Sequence, residues 1–245
     1  SERHTEALAH LNYGLREGGG FVLLTGEVGT GKTTVSRCLR QQLPDDTDLA
    51  LVVNPTLTER ELLASICDEF KLSYGTEAGI KELFDCLRHY LLANRQAGRK
   101  TLLLIDEAQH LSAEVLEQLR LLTNLETSER KLLQIILIGQ PELRTMVASP
   151  ALEQLAQWVI ARFHLDALSA QETQQYIAHR LAVAGLQGPL PFSRSAIRRV
   201  HALSRGIPRR INLLCDRALL GAYAAGQREV GEAIVRQAAR EVFDA

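Results

Sequence analysis

The stretch Gly26-Glu27-Val28-Gly29-Thr30-Gly31-Lys32-Thr33 decides the fold of this 245-residue chain. It has the G-x-x-x-x-G-K-[ST] spacing of a phosphate-binding loop, or P-loop. Glycines let the backbone curl until several N–H groups point into one bowl, and the helix that begins there adds its positive dipole end. In such a loop Lys32 reaches the β- and γ-phosphates and the Thr33 hydroxyl binds Mg²⁺. The pattern predicts a nucleoside-triphosphate site; the alternative is a Gly-rich turn that matches by chance.

The sequence on both sides of the loop favours the nucleotide site. Residues 21–25 form a short apolar run, which is typical of a buried parallel strand. After the loop, Val35 and Leu39 share one helical face, and Pro44 ends that helix. We expect the nucleotide to contact these loop residues: Gly26, Val28, Gly29, Thr30, Gly31, Lys32, Thr33 and Thr34.

Strands and amphipathic helices alternate over the first two thirds of the chain. Four further apolar runs predict strands: 49–53, 101–105, 132–138 and 163–165. This alternation predicts an α/β fold, a parallel five-stranded sheet flanked by helices, with residues 127–131 as a polar connector. From Ser169 onward only helical patterns occur. We therefore predict a nucleotide-binding domain over 1–167 and a small all-α lid domain over 168–245.

Composition and charge limit the classes of protein that fit. The net charge of −1 gives no overall attraction to nucleic acid or to anionic membranes. No apolar run approaches the roughly 18 residues that a membrane-spanning helix needs. The four cysteines lack C-x-x-C spacing, so neither a zinc site nor a disulfide framework is expected. The chain starts at Ser1 and its only methionine is Met146, so we expect a piece of a longer protein.

Two adjacent carboxylates, Asp106 and Glu107, follow the predicted strand at 101–105. In a P-loop protein an aspartate at this place holds Mg²⁺, directly or through water, and the glutamate polarises the attacking water. Acidic residues after a strand can also cap the next helix. The upstream P-loop favours hydrolysis, so we predict Thr33 and Asp106 as metal ligands and Glu107 and Lys32 as catalytic groups. We expect this strand end to lie beside the P-loop.

Two more polar side chains are candidates for the same site. Gln140 follows another predicted strand and is predicted to hydrogen-bond the γ-phosphate or the attacking water; the alternative is a loop or helix-cap residue before a proline. Arg209 lies in Gly206-Ile207-Pro208-Arg209-Arg210, at the start of a helix of the lid domain. Its guanidinium can bind phosphate oxygens in bidentate fashion, so we predict a catalytic and nucleotide-binding contact. We expect Arg210 to be solvated.

Four stretches of the sequence resemble the AAA+ ATPases and, among them, the general secretion pathway protein A family. They are GEVGTGKTT at 26–34, LIDEAQHL at 104–111, IGQPEL at 138–143 and GIPRRINLLCDRAL at 206–219. The resemblance covers nearly the whole chain. It implies an AAA+ ATPase that uses Mg²⁺ to hydrolyse ATP to ADP and phosphate, and that supports assembly of the type II secretion machinery, including a secretin pore across the cell wall.

The resemblance also implies partners and a location. We expect self-association into a dimer or ring, a membrane partner of the secretion protein B type, and peptidoglycan contact only through a C-terminal region absent here. Nucleic acid is not expected as a partner. The expected location is the cytoplasmic domain of an inner-membrane protein.

A ring implies an arginine finger reaching a neighbouring subunit, and Arg162 is the candidate. The chain departs from the family just before it, because Gln157-Trp158-Val159 stands where the family has a Gln-Arg phrase. Arg144 is a second candidate, and either side chain could instead be solvated.

Two other functions stay open at this point. One is a DNA-associated regulatory ATPase of the transposition type, for which five arginines could form a basic cluster: Arg198, Arg199, Arg205, Arg209 and Arg210. The other is a nucleotide-binding switch with negligible turnover. Glu107 argues against the switch, because a protein that only binds nucleotide does not need a water-polarising carboxylate.

Overall fold

The computed structural model describes residues 20–53, 56–123, 126–127 and 130–243. Backbone contacts divide the chain into two compact units. The sheet unit contains the described residues up to 26 and residues 32–165, and the helical unit contains residues 27–31 and those from 166 onward. The domain boundary predicted between 167 and 168 stays a prediction.

The sheet unit alternates strands and helices from its first described residue. Its first half contains β1 (Gly20–Gly26), α1 (Lys32–Gln42), β2 (Thr47–Val53), α2 (Glu59–Glu69), α3 (Ile80–Gln96) and β3 (Lys100–Asp106). After a 3₁₀ turn (Ala108–His110) come α4 (Ala113–Thr123), β4 (Glu126–Thr127), β5 (Arg130–Lys131) and β6 (Gln134–Gly139). The unit ends with α5 (Pro141–Val147), a second 3₁₀ turn (Pro150–Leu152), α6 (Glu153–Gln157) and β7 (Val159–Leu165).

Five of these strands form one parallel sheet in the order β2-β3-β6-β1-β7. The predicted parallel sheet is confirmed, but the P-loop strand and the Asp106 strand are not direct neighbours. β6 lies between them, with Gly139 paired to Thr25 of β1 and Leu137 paired to Ile105 of β3. The carboxyl ends of β1, β6 and β3 therefore lie side by side, which is where open α/β sheets bind ligands.

Both faces of the sheet are buried, as the continuous apolar runs predict. Phe21 and Leu23 of β1 pack into a large core on one face. Val22 and Leu24 point the other way and pack with Leu39 of α1. This alternation follows from the two-residue period of a strand.

The polar connector and the last strand of the sheet differ from the sequence-based prediction. The predicted polar connector contains β4 and β5, which pair as short antiparallel strands. β7 begins at Val159, four residues earlier than predicted; it is an edge strand on which the polar side chains of Arg162 and His164 are exposed. The exposed side chains interrupt the apolar run from which a buried strand is recognised.

Within the described residues, the helical unit contains α7 (Ala170–Val183), α8 (Arg194–Ser204), α9 (Pro208–Ala224) and α10 (Glu232–Phe243). Ser169 forms a capping box with Glu172, and the Ser193 side chain caps α8. The four helices enclose a separate apolar core that includes Ile211 and Val235. No helix in the described part of the chain is both long and apolar enough to cross a bilayer.

The connection from α8 to α9 depends on Gly206. Arg205 and Gly206 both have left-handed backbones, with φ of 54° and 71°. The Leu168 N–H donates to the Gly206 carbonyl over 2.8 Å. A Cβ atom on Gly206 would lie 2.1 Å from the Leu168 carbonyl oxygen, so no other residue fits here without movement.

Candidate active site

The loop between β1 and α1 has the curled backbone that the sequence predicts. Gly29 and Gly31 have φ of 85° and 105°, values that residues other than glycine rarely adopt. The Thr30 N–H and hydroxyl both donate to the Glu27 carbonyl, over 3.3 and 2.9 Å. These bonds close the loop into the tight turn that a phosphate cradle needs.

Lys32 begins α1 and is almost completely buried, with 7% of its surface exposed. Its Nζ donates to the Gly26 carbonyl over 2.6 Å, which holds the ammonium against the end of β1. Thr33 and Thr34 follow in the first turn of α1 and are exposed. The loop therefore combines a fixed positive charge with accessible hydroxyls at a helix N-terminus, as anion binding requires.

Asp106 ends β3 and is 8% exposed. Its Oδ1 accepts the Glu107 N–H over 2.9 Å. Burial raises the pKa of the Asp106 carboxyl, while the Glu107 N–H and the charge of Lys32 act in the opposite direction. A buried carboxylate of this kind is stabilised by a cation.

The donors predicted for Mg²⁺ fit that ion. The Asp106 carboxylate and the Thr33 hydroxyl offer hard oxygen atoms, and Mg²⁺ is typically held by one or two carboxylates plus substrate phosphates and water. Within the described ranges, no group of three or more His, Cys, Asp and Glu side chains converges as a metal cluster.

Glu107 has a left-handed backbone, with φ of 55° and ψ of 37°. This conformation is uncommon for a residue with a long side chain and costs about 1–3 kcal/mol. Such strain persists where the surroundings impose it, and it concentrates at active sites. Here the left-handed residue lies directly after the buried strand β3, at the start of the 3₁₀ turn.

Gln109 holds Glu107 and was not among the residues predicted from the sequence. Its Nε2 donates to Glu107 Oε2 over 2.6 Å, and its Oε1 accepts the Gln140 N–H over 3.0 Å. A Cβ atom on Gly139 would lie 2.7 Å from this Oε1, so the glycine makes room for the amide. Gln109 was visible in the sequence LIDEAQHL, two residues after Glu107. A glutamine at that distance from a glutamate is not by itself diagnostic of a role in the site.

The hydrogen bond from Gln109 is the main reason that the pKa of Glu107 is lowered; partial burial opposes the shift and Gln140 adds to it. Glu107 therefore stays ionised at neutral pH, the form in which it can accept a proton. A carboxylate held by two amides is also fixed in direction, which a group that orients water requires.

Gln140 lies at the helix-cap position that the sequence offered as the alternative to a phosphate or water contact. It is the N-cap residue of α5, but its side chain makes no cap hydrogen bond. The side-chain Nε2 instead lies 3.4 Å from Glu107 Oε2. The amide thus belongs to the Glu107 cluster, and its contact with phosphate or water stays a prediction.

Arg209 lies in the helical unit together with loop residues 27–31. Its backbone N–H donates to the Gly29 carbonyl over 3.2 Å, and a Cβ on Gly29 would lie 2.7 Å from Arg209 Cβ. The Arg209 side chain is exposed, and its contact with phosphate stays a prediction. Arg210 is partly exposed and its guanidinium lies 4.4 Å from the centre of the Phe243 ring, and its expected solvation stays a prediction.

The two finger candidates are both exposed side chains of the sheet unit. Arg162 lies on the edge strand β7, and its Nη2 donates to the Ala156 carbonyl over 3.1 Å. Arg144 lies on α5. Exposure leaves either side chain available to another subunit, and the choice between them stays a prediction.

The P-loop, the strand that ends in Asp106-Glu107 and the helical unit define a class of protein. The chain belongs to the AAA domain family, whose model matches residues 15–147. It is also similar to general secretion pathway protein A of Aeromonas hydrophila, with 61% identity over 242 residues, or 99% of the chain. The chain covers 44% of that curated relative, less than half of its length.

Solved structures confirm the fold class. Cdc6p from Pyrobaculum aerophilum matches with a TM-score of 0.73 and 17% identity, over 98% of this chain and 66% of that one. A Drosophila ORC bound to DNA matches with a TM-score of 0.71 and 22% identity, over 100% and 61%. The RuvB Holliday junction branch migration motor of Thermotoga maritima matches with a TM-score of 0.64 and 18% identity, over 99% and 69%. At these identities the likeness shows the fold alone.

Proposed function

We propose that this chain binds ATP with Mg²⁺ and hydrolyses it to ADP and phosphate. The observation that carries the proposal is the hydrogen bond from Gln109 Nε2 to the Glu107 carboxylate, over 2.6 Å, just after β3. This bond lowers the pKa of Glu107 and so keeps the carboxylate ionised. Lys32 and Asp106 are buried in the same unit. A phosphate-binding lysine, a metal-binding aspartate and a water-orienting glutamate are the groups that phosphoryl transfer to water needs.

Binding depends on the loop and on Lys32. The loop N–H groups hold the phosphate oxygens. The Lys32 ammonium, which donates to the Gly26 carbonyl in this structure, donates to the negatively charged phosphate oxygens instead. Thr33 and Asp106 would hold Mg²⁺, which would supply neutralisation of the phosphate charge. Arg209 adds a guanidinium to the phosphates.

Hydrolysis depends on Glu107. Its carboxylate accepts a hydrogen bond from a water molecule and directs the water oxygen at the γ-phosphorus. A bond forms between that oxygen and the phosphorus, while the bond from the phosphorus to the oxygen of ADP breaks. The water proton passes through Glu107 to the released phosphate. Gln140 positions the water or the γ-phosphate beside the carboxylate.

Lys32→Ala tests the proposal directly. Because the variant loses a charge-assisted contact to phosphate, we expect ATP affinity to fall by about tenfold to a hundredfold. Titration of a fluorescent ATP analogue measures the affinity, and phosphate release in the presence of Mg²⁺ measures turnover, which should fall as well. Lys81→Ala, which removes an exposed lysine of α3, is the matched control. Unchanged binding and turnover in Lys32→Ala would refute the proposed site.

The wider role that we propose is support for assembly of the type II secretion machinery, including its secretin. In this role the chain acts as the cytoplasmic domain of an inner-membrane protein. The support for it is the 61% identity to general secretion pathway protein A. A membrane partner of the secretion protein B type belongs to the same proposal, and so does peptidoglycan contact through a region outside this chain. Loss of secretin assembly in cells that carry Glu107→Gln in the full-length protein would support this role.

Self-association completes the site in this proposal. We expect ATP turnover per subunit to rise with protein concentration, because Arg162 of one copy contributes to the site of the next. Arg162→Ala should remain at the low rate over the whole concentration range, whereas Arg144→Ala should follow the wild type. The measurement is specific activity from nanomolar to micromolar protein. Constant specific activity in the wild type would exclude a contribution from a second copy.

A further inference from the structure

The charges of the chain are distributed unevenly. Residues 168–245 contain eleven arginines, no lysine and six acidic residues, a balance of +5. Residues 1–167 contain 17 basic and 23 acidic residues, a balance of −6. The overall charge of −1 therefore hides a strongly basic helical part, and a basic part of this kind attracts anionic partners.

Five of these arginines line one concave surface of the helical unit, with a volume of about 710 Å³. We call it the arginine groove. It lies between α8, the start of α9 and α10, and its charged lining consists of Arg199, Arg205, Arg210, Arg236 and Arg240. Leu203 and Phe243 supply apolar walls between the guanidinium groups. The groove is lined only by residues of the helical unit, whereas Lys32, Asp106 and Glu107 belong to the sheet unit.

The positive charge of the groove is only partly balanced. Glu232 accepts from Arg199 and from Arg236, each over 2.6 Å. Arg210 is placed by its contact with the Phe243 ring. Arg205 and Arg240 are exposed, and neither forms an ion pair with any residue that the structure describes. Clustered like charges repel one another, so an anion that enters the groove gains from all of them.

We propose that the arginine groove binds an acidic segment of a partner protein, in which carboxylates flank an apolar side chain. Guanidinium forks match carboxylates in bidentate geometry, and arginine clusters recognise acidic motifs. Leu203 and Phe243 offer a contact for the apolar side chain between the carboxylates. The volume lies within the range of pockets for small ligands, which suits a few extended residues.

The concave shape favours a peptide over duplex DNA. A duplex is read by elements that protrude into its grooves, such as an exposed helix or a two-stranded ribbon. The arginine groove is a depression rather than a protruding element. This inference is independent of the proposed ATP hydrolysis, because it uses no residue of the nucleotide site.

The probe is a fluorescein-labelled hexapeptide, Glu-Leu-Glu-Glu-Leu-Glu, added to the whole chain at 50 mM salt while fluorescence anisotropy is recorded. We expect saturable binding that weakens as salt increases, because exposed charge pairs are screened. The test variant is Arg205→Asn combined with Arg240→Gln, for which we expect at least tenfold weaker binding. Asparagine tolerates the left-handed backbone at 205, and glutamine preserves α10.

Two controls separate the groove from overall charge. The double variant Arg194→Gln, Arg228→Gln removes two exposed arginines outside the groove and should bind the probe within about twofold of the wild type. A probe with glutamine in place of each glutamate should not bind. Thermal unfolding establishes that both double variants fold. The proposal is overturned if the wild type does not bind the acidic probe, if the groove variant binds it equally well, or if a 20-base-pair duplex binds the groove more tightly than the peptide.

Discussion

Replacing Glu107 with glutamine is expected to slow ATP hydrolysis by about 100- to 1,000-fold while ATP continues to bind. Glutamine has nearly the shape of glutamate, so the left-handed backbone at 107 and the amide contacts around it can persist. What the variant loses is the negative charge that draws a proton from water. Binding should survive because Lys32 and the loop are untouched.

Single-turnover hydrolysis and the dissociation constant of a fluorescent ATP analogue separate these two effects. Glu114→Gln, at an exposed position in the first turn of α4, makes the same chemical change outside the site. We expect this control to match the wild type in both measurements. Wild-type turnover in Glu107→Gln would show that another group orients the water, or that the chain is a nucleotide-binding switch.

Gln109→Leu extends the same test to the residue that holds the carboxylate. We expect a smaller loss of turnover, about tenfold, with unchanged ATP affinity, because the leucine leaves the Gln140 N–H without its acceptor and Glu107 less well oriented. Gln109 lowers the pKa of Glu107, so its loss raises that pKa and moves the acidic limb of the rate profile to higher pH. Gln41→Leu, at an exposed position of α1, should change neither rate nor profile.

Gly206→Ala is expected to destabilise the helical unit by about 3–5 kcal/mol. Two costs combine at this position. The new Cβ would lie 2.1 Å from the Leu168 carbonyl oxygen, which is backbone and cannot swing away. Alanine must also adopt φ of 71°, which glycine tolerates without a side-chain clash.

Gly226→Ala separates the two costs. Gly226 also has a positive φ, 66°, but a Cβ there would meet nothing within 4 Å. This control should lose only about 1 kcal/mol, the cost of the backbone conformation alone. Urea unfolding followed by circular dichroism measures both variants. Equal losses would mean that the chain around Leu168 moves aside without cost, which would contradict the close packing described above.

Local sequence patterns predicted much of the fold because their causes are local. The P-loop glycines and Pro44, which lies just beyond the end of α1 at Gln42, each act within a few residues. Their positions in the structure agree with the sequence. The buried strands were visible for a similar reason, since a sheet covered on both faces needs continuous apolar runs.

Features that depend on distant residues were not predictable in this way. The insertion of β6 between β1 and β3 is a pairing of segments far apart in the sequence. Gln109 gains its role only because the Gln140 N–H, 31 residues later, comes within 3.0 Å. Arg210 meets Phe243 from the far end of the helical unit. No periodicity or motif in the sequence encodes such long-range contacts, which arise only when the chain folds.

The exclusive use of arginine in residues 168–245 has a consequence for how this part of the chain can be controlled. A guanidinium keeps its charge at every physiological pH, whereas lysine can lose its charge when it is buried or acetylated. With no lysine among residues 168–245, enzymes that acetylate lysine side chains have no target in this part of the chain. The positive charges of its arginines are therefore permanent. Salt, or a change in the charge of the anionic partner, can still weaken binding to this part of the chain.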